Sequence, residues 1–185
     1  MRIVLAITGA SGAIYGIRLL ETLREAGVET HLILSDWARK TIEMETNYTA
    51  EGVEALAFCR HDVRDMAAAV SSGSFRHDGM IIAPCSMKTL AGIAHGLEEN
   101  LIIRAAGVTL KEQRRLALLV RETPLTSVHL ENMLKLARLG ALIMPPVPAL
   151  YHRPRSLTEI YDHTAARVLD FFSVEFAGLT RRWQE

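Results

Sequence analysis

The sequence predicts a three-layer α/β/α fold of the Rossmann-like, flavodoxin-like type on a parallel sheet of about six strands. Short apolar runs of strand length alternate with amphipathic helical segments along all 185 residues. Two of the buried strands, at residues 2–8 and 79–83, end in turns of small residues that lead directly into helices. No repeat or composition shift interrupts this alternation, so residues 1–185 are predicted to form one domain.

The first half of the chain supplies two predicted strand–helix units and a less regular segment. The helix after the first strand extends to about residue 26, where Gly27 ends it. Strand 30–34 is followed by Ser35, which is either a helix N-cap or a ligand contact, and by a helix over about 36–47. Segments 51–57, 58–63 and 66–70 are predicted as helix, short strand and helix. The core face of the first helix is predicted to contain Ile14, Ile17, Leu20 and Leu23.

The second half repeats the alternation. Strands are predicted at 79–83, 116–120 and 141–144, and Asn100 precedes a helix over about 101–112. A capping box at residues 156–159 starts the last helix. The helix after the 79–83 strand is predicted to bury Leu90, Ile93 and Leu97. The helix after Ser127 is predicted to bury Leu130, Met133, Leu134 and Ala137. The core face of the last helix is predicted to contain Leu157, Ile160, Tyr161, Val168, Phe171 and Phe172.

Composition excludes several classes of protein. The 21 basic and 21 acidic residues balance, so no net field attracts nucleic acid or a membrane surface. The longest apolar runs fall well short of a membrane span, and the first strand leaves no room for a signal peptide, so a cytoplasmic location is expected. Cys59 and Cys85 are too few for a disulfide framework, and no cluster has metal-ligand spacing. Cys85 is interpreted as an inert core thiol.

The turn after the first strand is a candidate anion site. Its glycines, at positions 9, 12 and 16, precede a helix N-terminus, where backbone N–H groups and the helix dipole favour a phosphate. Their spacing matches neither a dinucleotide fingerprint nor a P-loop. No Tyr has a Lys four residues later, and no acidic residue ends the second strand, so a nicotinamide enzyme is disfavoured. The turn is therefore predicted to bind a nucleotide-like phosphate.

Two further segments are predicted at the same edge of the sheet. Residues 84–89 follow the 79–83 strand, and Arg121 and Glu122 follow the 116–120 strand. Because ligands of open α/β sheets bind outside the carboxyl ends of the strands, a ligand is expected to lie across these turns. The Arg–Glu pair is equally compatible with a surface ion pair and with a functional role.

Five motifs in order resemble those of the UbiX-type flavin prenyltransferases, formerly classed as aromatic acid decarboxylase subunits. They are TGASGAxYG at 8–16, PCSMKT at 84–89, RETPL at 121–125, HLENMLKL at 129–136, and the Tyr151-His152 segment. The resemblance covers nearly the whole chain. It implies that reduced FMN is bound and prenylated with dimethylallyl monophosphate, which joins flavin N5 and C6 to the prenyl unit in a fourth ring.

The resemblance also implies particular residues and partners. FMN would contact Gly9, Ala10, Ser11, Ser35, Ser86, Met87, Lys88, Thr89 and Arg121. The prenyl phosphate would meet Lys111, Glu122, Tyr151 and Arg167, partly from a neighbouring subunit. A homododecamer is expected, with the prenylated FMN passing to a separate UbiD-type decarboxylase of aromatic or α,β-unsaturated acids.

The residue types suit a metal-independent transfer. Lys111, Arg121 and Arg167 would stabilise the departing phosphate, and Glu122 would donate or relay a proton. Roles of Glu45 and Ser11 in ring closure follow from the resemblance. Two alternatives stay open: an FMN-dependent decarboxylase of cysteine-type substrates, and a non-catalytic subunit that carries FMN to a partner.

Overall fold

The structure, a computed structural model, describes residues 1–176. Its centre is a six-stranded sheet in which every strand pairing is parallel. The strands are β1 (Arg2–Ile7), β2 (Glu29–Leu34), β3 (Cys59–Asp62), β4 (Gly79–Cys85), β5 (Arg115–Val120) and β6 (Leu142–Ile143). Their order in the sheet is β3-β2-β1-β4-β5-β6. The order reverses between β1 and β4, which makes their carboxyl ends the topological switch point.

Seven α-helices cover the sheet within the described residues. They are α1 (Ala13–Glu25), α2 (Asp36–Glu45), α3 (Ala50–Glu54), α4 (Met87–His95), α5 (Leu101–Lys111), α6 (Ser127–Arg138) and α7 (Leu157–Phe172). A short 3-10 turn occupies Ala69–Ser71. No described helix has the length and hydropathy that a bilayer crossing requires.

Alternate residues of β1 face two different hydrophobic cores, one on each side of the sheet. Ile3, Leu5 and Ile7 face the core that α1 and α7 share, whereas Val4 and Ala6 face the core beneath α4, α5 and α6. Successive strand residues point to opposite faces, so a strand buried on both sides is apolar throughout. The three-layer α/β/α fold predicted from the sequence is thereby confirmed.

Several predictions about the helices were wrong. The 66–70 segment is not a helix, and only the 3-10 turn forms there. Leu97 lies beyond the end of α4 and is 54% exposed. On α6 the buried residues are Asn132, Met133 and Leu136. The apolar residues predicted to be buried there are exposed instead, namely Leu130, Leu134 and Ala137.

The last helix also differs in part from the prediction. Val168 and Phe172 are buried as expected, but Leu157 is exposed. Glu159 accepts a hydrogen bond from the backbone N–H of Arg155, so its side chain reaches one residue further back than in a standard capping box. The apolar residues wrongly assigned to the core on α6 and α7 share one cause. Helical periodicity identifies an apolar stripe, but it does not tell whether the stripe faces this chain's core or solvent.

Candidate functional site

A buried threonine joins the ends of β1 and β4. Thr8 is 1% exposed, and its hydroxyl donates to the Pro84 carbonyl at 2.7 Å and accepts from the Ser86 N–H at 2.8 Å. The Thr8 N–H donates to the same carbonyl at 3.2 Å. The turn after β1 and the turn after β4 are therefore held in fixed positions relative to each other.

Backbone hydrogen bonds extend this arrangement to the neighbouring strands. The Ser35 N–H donates to the Ile7 carbonyl at 3.1 Å, and the Arg121 N–H donates to the Cys85 carbonyl at 3.1 Å. The ends of β2, β1, β4 and β5 thus lie side by side. The structure accordingly brings the segments around Gly9, Ser35, Ser86 and Arg121 to one edge of the sheet, as the sequence predicted.

Gly9 allows α2 to approach the turn after β1 closely. A Cβ atom on Gly9 would lie 2.3 Å from the Cβ atom of Trp37, so a larger residue would force the two segments apart. The Trp37 indole is 65% exposed, and the Lys40 ammonium lies 4.6 Å from its ring centroid. Trp37 therefore presents an aromatic surface beside the turn, and the sequence analysis did not single it out.

The start of α1 binds a carboxylate from its own chain. Gly12, at φ 98°, occupies the N-cap position without a side-chain cap. The Gly12 N–H donates to Glu45 Oε2 at 2.7 Å, and the Ala13 N–H approaches the same oxygen at 3.3 Å. This contact shows that the N–H groups are oriented for an oxyanion. A phosphate at this position would displace the Glu45 carboxylate or bind beside it, toward Ala10 and Ser11.

Two serines at the strand ends cap helices. Ser35 Oγ accepts from the Ala38 N–H at 3.0 Å, which confirms its predicted role as the α2 N-cap. Ser86 Oγ accepts from the Thr89 N–H at 3.3 Å and donates to Thr89 Oγ1 at 3.1 Å. Each cap leaves a helix N-terminus, with its partial positive charge, at this edge. Contacts of both serines with a ligand stay predictions.

Charged and flexible side chains follow these caps. Met87 and Lys88 open α4, and Lys88 Nζ lies 3.6 Å from Glu99 Oε2. Arg121 and Glu122 are exposed just beyond β5, where Glu122 Oε1 accepts from the Thr123 N–H at 3.0 Å. Cations and a carboxylate are thus available at the edge of the sheet where the turns converge.

A second group of polar residues surrounds His163 on α7. The Tyr151 hydroxyl lies 2.8 Å from His163 Nε2, and the His152 ring stacks on the His163 ring with centroids 4.9 Å apart. Burial, followed by His152 and the charge of Arg167, lowers the pKa of His163. Tyr151 and Arg167, both predicted to bind the prenyl phosphate, therefore lie around one neutral imidazole, which the sequence analysis missed.

Lys111 lies elsewhere. It is the last residue of α5, which leads into the amino end of β5, and its ammonium pairs with Glu112. A single chain therefore does not bring Lys111 to the edge that holds Gly9, Ser86 and Arg121.

Cys85 is sequestered between the strand ends. It is fully buried, and burial raises the pKa of its thiol to about 12. A thiol with this pKa carries almost no thiolate at neutral pH, so the interpretation of Cys85 as an inert core residue is confirmed.

The fold and this edge define the class of the protein: a doubly wound α/β protein with small-residue turns side by side at the carboxyl ends of its central strands. A family model described as "Flavoprotein" matches residues 1–170. The chain belongs to that family and, within it, to the UbiX-type flavin prenyltransferases. It is 57% identical over 184 residues to a probable UbiX-like flavin prenyltransferase of Streptomyces sp. (strain D7), covering 99% of this chain and 92% of the relative. It is 53% identical over 185 residues to flavin prenyltransferase UbiX of Escherichia coli (strain K12), covering 99% and 98%.

Solved structures agree with this assignment. AnUbiX (PadA1), crystallised in complex with FMN and dimethylallyl pyrophosphate, superposes with a TM-score of 0.97 at 53% identity, covering 100% of this chain and 97% of that one. A dodecameric FMN-dependent UbiX-like decarboxylase from Escherichia coli O157:H7 superposes equally well, at 0.97 and 53%, covering both chains completely. The FMN-dependent cysteine decarboxylase TvaF superposes with a TM-score of 0.64 at 17% identity, covering 90% of this chain and 98% of its own. This likeness shows a shared fold alone.

Proposed function

We propose that this protein transfers a dimethylallyl group from dimethylallyl monophosphate to reduced FMN without a metal, giving prenylated FMN. The observation that carries the proposal is the convergence of four strand ends in a chain that superposes at a TM-score of 0.97 on a relative holding FMN and dimethylallyl pyrophosphate. That relative holds the diphosphate, so the number of phosphates on the donor is part of the proposal.

The edge of the sheet fits a flavin mononucleotide. Gly9 lets α2 and its exposed Trp37 approach the turn after β1 closely, and the start of α1 already holds one oxyanion, the carboxylate of Glu45. Two more helix N-termini, capped by Ser35 and Ser86, point to the same edge. The residues proposed to contact FMN are Gly9, Ala10, Ser11, Ser35, Ser86, Met87, Lys88, Thr89 and Arg121.

Tyr151 and Arg167 would hold the donor's phosphate. With the Nε2–H of neutral His163 donating to the Tyr151 oxygen, the tyrosine keeps its O–H as a donor for the phosphate. Arg167, one turn after His163 on α7, supplies a permanent cation. The lowered pKa of His163 keeps its imidazole neutral near pH 7, so Tyr151 is oriented without a second charge being buried.

Bound reduced FMN supplies the nucleophilic ring atoms. When the C–O bond of the donor breaks, negative charge grows on the phosphate, and fixed cations stabilise that charge most strongly in a site that excludes water. Arg121 and Arg167 would do so in this chain. Glu122 would hold the proton that the departing phosphate takes up, while Ser11 and Glu45 would face the reacting ring and assist its closure.

Lys111 would act in a neighbouring subunit. It lies at the opposite edge of its own sheet, so it can meet the prenyl phosphate only across an interface between chains. Exposed apolar side chains support such an interface: Leu130 and Leu134 on α6 are 53% and 51% exposed, and Leu150 and Leu157 are also exposed. We propose a homododecamer, the state that the E. coli O157:H7 relative's name describes.

The test is a reaction of the purified chain with reduced FMN in the presence of a metal chelator. Dimethylallyl monophosphate is added to one sample and dimethylallyl pyrophosphate to another. The mass of the flavin in each sample is then measured by mass spectrometry. A flavin heavier by one prenyl unit is expected with the monophosphate. An unchanged flavin mass with both donors, or a mass gain only after a divalent ion is added, would contradict the proposal.

Glu122→Gln tests the proton step in the same assay. The variant is expected to bind FMN but to slow transfer by a factor within roughly 10²–10⁴. Glu25→Gln is the matched control, because Glu25 is an exposed carboxylate at the far end of α1. Equal rates for the two variants would remove Glu122 from the mechanism.

The same assay separates the carrier alternative, because a non-catalytic carrier would bind FMN without changing its mass. A second assay supplies oxidised FMN as the two-electron acceptor, with which an FMN-dependent cysteine-type decarboxylase would release CO₂ from a peptide ending in cysteine. We further propose a cytoplasmic location and a UbiD-type decarboxylase of aromatic acids as the recipient. The recipient is tested by whether reacted protein, and not FMN alone, activates such an enzyme.

A further inference from the structure

Three side chains of types that bind metals meet on β2 and on the outermost strand β3, away from the carboxyl strand ends described above. His31 on β2 pairs in register with Cys59 on β3, and His61 lies two residues further along β3. Because alternate strand residues share a face, Cys59 and His61 point to the same side as their partner His31. One nitrogen of each imidazole and the Cys59 sulfur all lie within 4.8 Å of one another.

This cluster has an outer carboxylate. Glu29 Oε1 lies 3.1 Å from His31 Nε2, and Arg2 Nε donates to the same carboxylate oxygen at 2.5 Å. The Glu29 carboxylate, paired with the Arg2 guanidinium, is placed to accept the Nε2–H of His31. The lone pair of a neutral His31 is thereby placed on Nδ1, which faces His61 Nε2 at 2.8 Å. Carboxylates hold metal-bound histidines in this way.

We propose that His31, Cys59 and His61 form a binding site for a borderline transition-metal dication such as Zn²⁺, with Glu29 orienting His31. One thiolate and two imidazoles suit zinc, and three protein ligands leave a fourth position for water. Cys59 and His61 are half-buried and not fully enclosed, so an ion can enter from solvent.

The geometry requires small movements. Two nitrogens bound to tetrahedral zinc at about 2.0–2.1 Å stand roughly 3.3 Å apart, against 2.8 Å between His31 Nδ1 and His61 Nε2. The rings must therefore separate by about half an ångström. On binding, the His61 proton moves from Nε2 to Nδ1, and the Cys59 thiol loses its proton to water as the metal–sulfur bond forms. No electron transfer is involved.

The site would join the edge strand to the sheet. Among the described strands β3 pairs with β2 alone, and an ion held by His31 and by two β3 residues would link the two strands. His31 lies four residues before Ser35, so the site is separated by roughly 13 Å of strand from the turns proposed to bind FMN. A metal bound here is distinct from any metal requirement of the prenyl transfer.

The test uses the tag-free full-length protein after removal of metals with a chelator. Adding Zn²⁺ at about 100 times its dissociation constant is expected to raise Tm by roughly 5–10 °C. Co²⁺ is expected to give a thiolate-to-metal charge-transfer band at one ion per chain. Absence of both effects in the wild-type protein would overturn the proposal.

Variants show whether these residues hold the ion. Cys59→Ala and His61→Gln are each expected to abolish the cobalt band and most of the rise in Tm. Arg60→Gln is the matched control, because Arg60 lies between them on β3 and its exposed side chain pairs with Glu54 on the other face. A cobalt band that persists in Cys59→Ala, or that is lost equally in Arg60→Gln, would refute the site.

Discussion

Replacing Thr8 by Val would loosen the two central turns from each other. Valine has nearly the same shape but no hydroxyl, so the Ser86 N–H loses its 2.8 Å acceptor and the Pro84 carbonyl loses its 2.7 Å donor. The Pro84 carbonyl still accepts a hydrogen bond from the residue 8 N–H at 3.2 Å, so it loses only one of its two hydrogen bonds. The unpaired Ser86 N–H costs about 2 kcal/mol, the middle of the usual range, and the partly compensated carbonyl adds up to about 1 kcal/mol, which together predict a loss of about 2–3 kcal/mol.

The measurement is thermal unfolding at one protein concentration. For a chain of this size the loss corresponds to a fall in Tm of roughly 4–12 °C. If FMN binds across both turns as proposed, its affinity, followed by flavin fluorescence, should weaken by about tenfold, equivalent to ~1.4 kcal/mol.

Two variants control the experiment. Thr8→Ser keeps the hydroxyl and should retain most of the stability. Thr30→Val removes a hydroxyl that is equally buried but makes only a 3.3 Å hydrogen bond to the Val28 carbonyl two residues away, so it should cost less than about 1 kcal/mol. The reasoning is refuted if Thr8→Val and Thr30→Val have the same Tm.

Three further predictions concern packing, pH and thiol reactivity. Gly9→Ala places a Cβ atom 2.3 Å from an α2 side chain, so calorimetry should show a loss of about 1–3 kcal/mol in the free energy of unfolding, and FMN affinity should fall at least ~10-fold. Gly107→Ala is the control and should be neutral or stabilising, because its Cβ atom would meet only a flexible carboxylate at 3.3 Å. Burial lowers the pKa of His77 below its ordinary 6.5, so below about pH 6.5 His77 binds a proton in the unfolded chain but not in the folded one. Tm should therefore fall as pH drops through about 6.5 and stay level above it. The fall should be less steep in His77→Gln. Iodoacetamide should label Cys59 but not Cys85 in the folded protein and both in denaturant, and rapid labelling of Cys85 in the folded state would contradict its raised pKa.

The sheet could be predicted from the sequence because each central strand is apolar on both faces. The 2–8 and 79–83 runs correspond to β1 and β4, and the helix N-caps at Ser35 and Asn100 were identified from residue type. The positions of the strand ends followed from the rule for parallel sheets, and the structure places those turns side by side.

The rest depends on contacts between distant residues. Glu45 lies 33 residues from Gly12, so its occupation of the α1 N-terminus leaves no local signal. The same holds for the link between Thr8 and Ser86 and for the meeting of His31 with Cys59 and His61, which have no recognisable ligand spacing along the chain. The apolar face of α6 was assigned to the core because periodicity alone does not distinguish a stripe that faces the chain's own core from one that is exposed.

The main-chain bonds that tether each strand end to its neighbour have an evolutionary consequence. The Ser35 and Arg121 N–H groups hold their turns to adjacent strands whatever side chains those turns carry. Mutations in these two turns, after β2 and β5, can therefore alter ligand preference before they disturb the scaffold. Solved structures that keep the fold at 14–18% identity, among them the cysteine decarboxylases TvaF and SpaF, show how far the residues can diverge on such a frame.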